Sequence, residues 1–244
     1  MILAGLIAAA SDIKIGEGAT MRLFGLTINT YDVLSTLIAA ALVLGIGLYV
    51  RIRITAGVPG KLQLVFETVS DAVSNQVEAS IGDRGRRIVP LAMTLFLLIL
   101  FCNWFEMVPT GHYPQYLPAP TGNVNLTYAL ALTVIIMVHT SWIATKGVRG
   151  YFGHYFKPYW ILAPINVIEE IAKPITLALR LFGNIFSGSI MLLLIWALFP
   201  AFIIPIPSAI WKLFDGLFVG PVQAFIFSLL TILYFESAMS SEGH

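Results

Sequence analysis

The chain has 244 residues, 58% of them hydrophobic and 11% charged, with a formal net charge of +1. Soluble domains carry roughly 25% charged residues, so this composition, with a mean hydropathy of +0.86, excludes an ordinary soluble enzyme and points to a polytopic membrane protein. The near-neutral charge argues against a nucleic-acid partner. The single cysteine, Cys102, leaves no internal disulfide framework and no cysteine metal site, and reads as a small buried hydrophobe.

Residues 1–10 are apolar, but no basic residue precedes them, so a cleaved signal peptide is not expected. Residues 1–30 read as an extracytoplasmic N-terminal segment, with Gly16, Gly18 and Gly25 and no phosphate or metal site. A first span covers 31–50, long enough for a hydrocarbon core of about 30 Å, and Arg51 and Arg53 follow it. Segment 61–81 differs. Leu62, Val65, Phe66, Val69, Val73 and Val77 recur at helical spacing, with Glu67, Ser70, Asp71, Ser74 and Glu78 between them. That pattern predicts an amphipathic helix on the membrane surface or against a partner. Further spans follow at 88–108 and 125–145.

The last two helices are longer. One runs over 160–199 and must tilt or bend, since about 20 residues suffice to cross a bilayer. After a turn with Pro200, Pro205 and Pro207 comes a helix over 208–235, with Gly216, Gly220 and Pro221 as candidate bends, and a polar cytoplasmic tail over 236–244. The expected architecture is therefore an all-α polytopic membrane protein: a single membrane domain over 1–244, with about five transmembrane helices and one interfacial helix. Basic residues concentrate in loops 51–61, 82–87 and 146–157, and are absent from 109–124 and 199–207. This asymmetry places the N-terminus outside and the C-terminus in the cytoplasm.

Arg180 stands inside the long apolar run. A guanidinium keeps its charge at any ordinary pH, and at mid-bilayer it costs at least ~3 kcal/mol. No carboxylate lies within two turns. At about 100° per residue, Asn166, Glu169, Lys173, Thr176, Asn184 and Ser187 share its face. Such a stripe faces protein or water and not lipid. It reads as the wall of an ion path with a fixed positive charge across its middle.

The run Arg180-Leu-Phe-Gly-Asn184, preceded by Pro164-Ile-Asn-Val-Ile-Glu-Glu170 and Lys173-Pro174, resembles subunit a of the F-type ATP synthases, in its bacterial and chloroplast form. Gln223-Ala-Phe-Ile-Phe227 with the following Leu-Thr-Ile-Leu-Tyr234 matches the second signature, and Asn103-Trp104 and Pro120–Thr127 extend the likeness. The resemblance implies a stationary, non-catalytic, proton-translocating subunit of a bacterial plasma membrane. Two offset half-channels, separated by Arg180, would couple proton flow to rotation of a c-ring, which the helix pair 160–199 and 208–235 faces. Implied partners are the c-ring, the peripheral-stalk b-type subunits and the remaining subunits of the complex, with the proton as the expected ion. The choice between proton and sodium is set by the ring and is not in this chain. No cofactor or metal is implied, and no phosphate-binding glycine loop is present.

The candidate proton-path residues are Arg180, Asn184, Gln223, Glu169, Asp215, Asn125, Ser187 and Glu170. Each has a plainer alternative. Gln223 and Asn125 either order water or glue the bundle; Glu170 is either a path residue or an interface carboxylate. Glu169 shares the face of Arg180 and is favoured for the inner path. Asp215 either pairs with Lys212 at i,i+3 or supplies the outer carboxylate. Two positions depart from the family pattern. Many relatives carry an acid where this chain has Ser189 and a histidine where it has Gly216. Asp215 is then the nearest titratable group, although plain helix geometry sets it about 80° round from Gln223. His139 reads as a packed hydrogen-bonder and Glu106 as solvated. Two rival readings are a transporter or channel with an anion site at Arg180, and an intramembrane hydrolase using Ser187 or Ser189 with His139.

Overall fold

A computed structural model describes residues 20–23, 26–53, 60–107, 119–155, 161 and 163–239. The expectations for residues 1–19, for the loop carrying His112 and Gln115, for Lys157 and for the tail beyond 239 lie outside them. An antiparallel hairpin, β1 (Thr20–Leu23) and β2 (Leu26–Asn29), leads into α1 (Thr30–Arg53). Then come α2 (Lys61–Ile81), α3 (Val89–Trp104), α4 (Val124–Tyr155), α5 (Ala163–Leu198), α6 (Pro205–Phe214) and α7 (Gly220–Met239). A π turn, Asp215–Val219, joins α6 to α7. Five helical stretches are long and apolar enough to cross a membrane. The chain is an all-α polytopic membrane protein, with the hairpin as its one addition among the described residues.

Local chemistry sets the boundaries. Asn29 accepts the Tyr31 N–H at the start of α1, and Arg51 and Arg53 sit in its last turn, where cations suit the helix dipole. Gly82, at φ 72°, ends α2 with its N–H on the Glu78 carbonyl, a backbone conformation that glycine adopts without steric cost. Gly147, at φ 70°, breaks α4. The last helical stretch begins at Pro205, earlier than 208, because prolines in a first turn forfeit no helical hydrogen bond. It runs on to Met239, beyond 235. The 36 residues of α5 include Pro174.

Two compact units divide the chain. The first comprises Met1–Leu44, Leu98–Thr127 and Arg180–Ala224; the second comprises Gly45–Leu97, Tyr128–Leu179 and Phe225–His244. In the second, the apolar stripe of α2 is partly occupied within the chain. Val73 and Val77 are buried with Ala92, Met93 and Ile232, while Phe66 and Val69 pack against the same cluster. Leu62 and Val65 of that stripe remain exposed, at 47% and 64%. Ser228 Oγ donates to the Ala92 carbonyl at 3.0 Å, a polar tie between α7 and α3. In the first unit, Asn123 Nδ2 donates to Asp32 Oδ2, which ties the start of α1 to the turn before α4.

Candidate functional site

Arg180 is exposed on α5. Among the described residues no carboxylate pairs with it. One turn on, Asn184 is half-buried, and its Nδ2 is buried without a hydrogen-bond partner. Ser187 donates to the Asn184 carbonyl at 2.8 Å and Ser189 to the Ile185 carbonyl at 3.0 Å, so both hydroxyl hydrogens are spent on their own helix. Gln223 is 7% exposed, and its Nε2 also lacks a partner. Buried amides are normally satisfied. Two orphaned carboxamides in one unit mark polar positions that protein groups leave open. Asn125 lies apart in character: it is exposed in the first turn of α4, where its N–H is capped by Asn123 Oδ1 at 2.9 Å.

Asp215 is 6% exposed. It forms no ion pair with Lys212, which removes the local i,i+3 reading, and no side-chain hydrogen bond among the described residues. The π turn explains its position. The Gly220 N–H bonds back five residues to the Asp215 carbonyl. Absorbing one extra residue takes out roughly 100° of rotation, so the offset from Gln223 shrinks from about 80° to about 20°. Pro221 has no N–H to give the carbonyl five residues earlier, that of Gly216. Trp104 Nε1 supplies the missing donor at 2.9 Å. Asn103 adds a 3.3 Å bond to the Gly220 carbonyl and is itself fixed by Thr121 Oγ1 at 3.0 Å.

The sequence predicts a solvated Glu106, and the structure corrects this. Its Oε2 is buried without a partner. A Cβ placed on Gly188 would stand 3.2 Å from Glu106 Oε1 and 3.9 Å from Asp215 Oδ1. Both carboxyls therefore close over one bare patch of α5 backbone.

The second unit holds a separate cluster. Glu170 accepts from Lys173 Nζ at 2.8 Å, and His139 Nε2 lies 3.5 Å from its other oxygen. Lys173 Nζ also stands 5.8 Å from the centroid of the Tyr234 ring, and His139 meets Tyr151 edge-on. Glu169, the favoured carboxylate, is exposed, while Glu170 is half-buried. Glu170 thus meets one partner from its own helix, Lys173, and one from α4, His139.

Residues 33–236 match the family described as ATP synthase A chain. The chain belongs to the ATP synthase subunit a family. It is 50% identical to ATP synthase subunit a of Acidothermus cellulolyticus over 96% of this chain and 86% of that protein. It is 47% identical to that of Mycobacterium tuberculosis over 96% of each, and 36% identical to that of Moorella thermoacetica over 91% of this chain and 93% of the other. As a subunit a it is a membrane-sector component of an F-type ATP synthase. Seen as a subunit a, its glycine at 216 has a structural correlate. A Cβ at Gly216 would fall 1.8 Å from Met107 Sδ, so no histidine fits there without displacing that methionine. The carboxylate Glu106 and the partner of Glu170, His139, are the residues that sequence reasoning undervalues. Each lies far along the chain from its partner, and no local spacing relates them.

Proposed function

We propose that the chain is the stationary proton-translocating subunit of the membrane sector, with Arg180 dividing two offset aqueous half-channels. The observation that carries this reading is a permanent cation with no counter-ion among the described residues, exposed on α5, the helix on which Phe186 and Ile190 expose their apolar side chains as well. A charge so costly in lipid is balanced when a partner brings a carboxylate to it. The family's partner is a ring of hairpin subunits, each with a membrane carboxyl. A carboxyl beside a fixed cation is held ionised, so it must give up its proton before passing. The same cation repels a hydronium that would run straight through. Each proton then travels round with the ring, and every charge crossing 100 mV delivers about 2.3 kcal/mol.

On this reading the outer path is lined by Asp215, Asn125, Ser187, Asn184 and Gln223, and the inner path by Glu170 and Glu169. The unsatisfied amides of Asn184 and Gln223 support water-ordering roles, since buried polar groups seek partners. Loop charge supports a bacterial plasma-membrane protein with its N-terminus outside and C-terminus inside. ATP chemistry belongs to other subunits, because this chain has no phosphate-cradling motif. The c-ring, b-type stalk subunits and soluble catalytic subunits complete the assembly. The test is ATP-driven acidification of inverted membrane vesicles. Arg180→Ala should abolish it while the ring still co-purifies; normal pumping by that variant overturns the reading.

A further inference from the structure

The reading above gives Asp215 a role alone. Ser189 and Gly216 stand where many relatives carry an acid and a histidine, and neither exchanges protons near neutral pH. The geometry points to a replacement: we propose that Glu106 and Asp215 act as one proton-sharing carboxyl pair, closed over Gly188, and relay the outer-path proton toward Gln223 and Arg180. This inference rests on the proposed function.

Four independent features build the site. Both carboxylates approach one point, 3.2 Å and 3.9 Å from where a Gly188 Cβ would be, so a methyl at 188 would press on Glu106 and touch Asp215 in ordinary contact. Among the described residues neither carboxyl is used elsewhere: Asp215 is 6% exposed without a side-chain partner, and Glu106 Oε2 is buried and unbonded. The π turn, held by Trp104 and Asn103, rotates Asp215 onto the face of Gln223. The buried, unpartnered Nε2 of Gln223, about two turns further, gives the proton's next water a donor to lean on.

Two carboxyls that face one buried point carry two negative charges less readily than one, and on this proposal they hold one proton between them. The charged groups acting on Glu106 are Asp215 and Lys212, and the packed backbone of α5 at Gly188 adds none. The step is proton transfer only. An O–H bond of an incoming hydronium breaks as one forms on the free carboxylate of the pair. The second proton then leaves to water on the Gln223 side, and the pair returns to its starting charge. Glu106 is placed to receive and Asp215 to release, because only Asp215 shares the helix with Gln223.

The experiment uses the complete complex in liposomes, with ATP synthesis driven by an imposed proton gradient and measured against outer-side pH. Glu106→Gln and Asp215→Asn should each lower the rate by about a hundredfold, the lower range for losing a positioned proton-transfer group. The double variant should be no slower than the worse single, because the pair works as one relay. Glu106→Asp, and Gly188→Ala with its methyl against Glu106, should keep assembly and displace the outer-pH profile. Wild-type rates in both single variants overturn the proposal, as does a double variant whose loss is the product of the two singles. If Glu106→Gln fails to assemble, the decision falls to Glu106→Asp and Gly188→Ala: unmoved pH profiles in both overturn it. An inactive Arg180→Ala beside a fully active Glu106→Gln defeats only the pair. Activity in both defeats the proposed function itself.

Discussion

Trp104 donates its indole N–H to the carbonyl of Gly216 at 2.9 Å, filling the place of the donor that Pro221 lacks. In a bilayer interior every backbone polar group must find a partner inside the protein. One side chain from the end of α3 therefore maintains the π turn that aims Asp215.

Trp104→Phe keeps the ring and removes the donor. Leaving a buried carbonyl unsatisfied costs about 1–3 kcal/mol, so the purified complex should melt at lower temperature. Proton-driven synthesis should fall with it, because Asp215 loses its fixed phase. Unchanged melting and unchanged synthesis would show that the π turn stands without the indole.

Gly216 and Met107 should behave as a coupled pair. Gly216→Ala pushes a methyl into Met107 and should reduce the amount of assembled complex. Met107→Ala in the same chain should restore much of it, since overpacking strain of about 1–3 kcal/mol is relieved. The measurement is a double-mutant cycle on complex yield and melting temperature. Additive losses would mean that the two residues do not contend for one space.

On the inner path the prediction reverses the preference drawn from helix phase. Glu170→Gln should lower coupled pumping in inverted vesicles more than Glu169→Gln. Glu170 is the carboxylate that holds Lys173 at 2.8 Å and faces His139 at 3.5 Å, whereas Glu169 is exposed. Removing one partner of a part-buried ionic cluster strands the others. A larger loss from Glu169→Gln would return the role to the stripe of Arg180.

Arg180→Lys should pump no better than a few per cent of wild type. The charge survives, but a compact, strongly hydrated ammonium replaces a planar fork on a shorter reach. Near-normal vesicle acidification would mean that charge alone suffices.

Topology can be read by cysteine labelling in intact cells and inverted vesicles, with Cys102 replaced. Cysteines at Ser74 and Lys146 should label from the cytoplasm, and one at Gln115 from outside. Labelling of Gln115 and Lys146 from the same face would overturn the orientation drawn from loop charge.

What the sequence determined by itself is what repeats locally or costs most energy. Five apolar runs, the amphipathic period of 61–81 and the isolation of Arg180 are each visible within a few turns of chain, because lipid enforces them without reference to any other residue. The family signatures around Arg180 and Gln223 are local in the same sense. The tertiary structure alone decided where the carboxyls lie and what they touch. Glu106 was misread as solvated because its burial depends on Gly188 and Asp215, about eighty and a hundred residues further on. Glu170 has a contact that helix phase could not show, because His139 comes from another helix. Asp215 reached the face of Gln223 only through a π turn, and that turn persists because Trp104 and Asn103 satisfy carbonyls that Pro221 and the local geometry leave exposed. A helical wheel assumes a constant rotation per residue; hydrogen bonds from a distant helix are what make that rotation change.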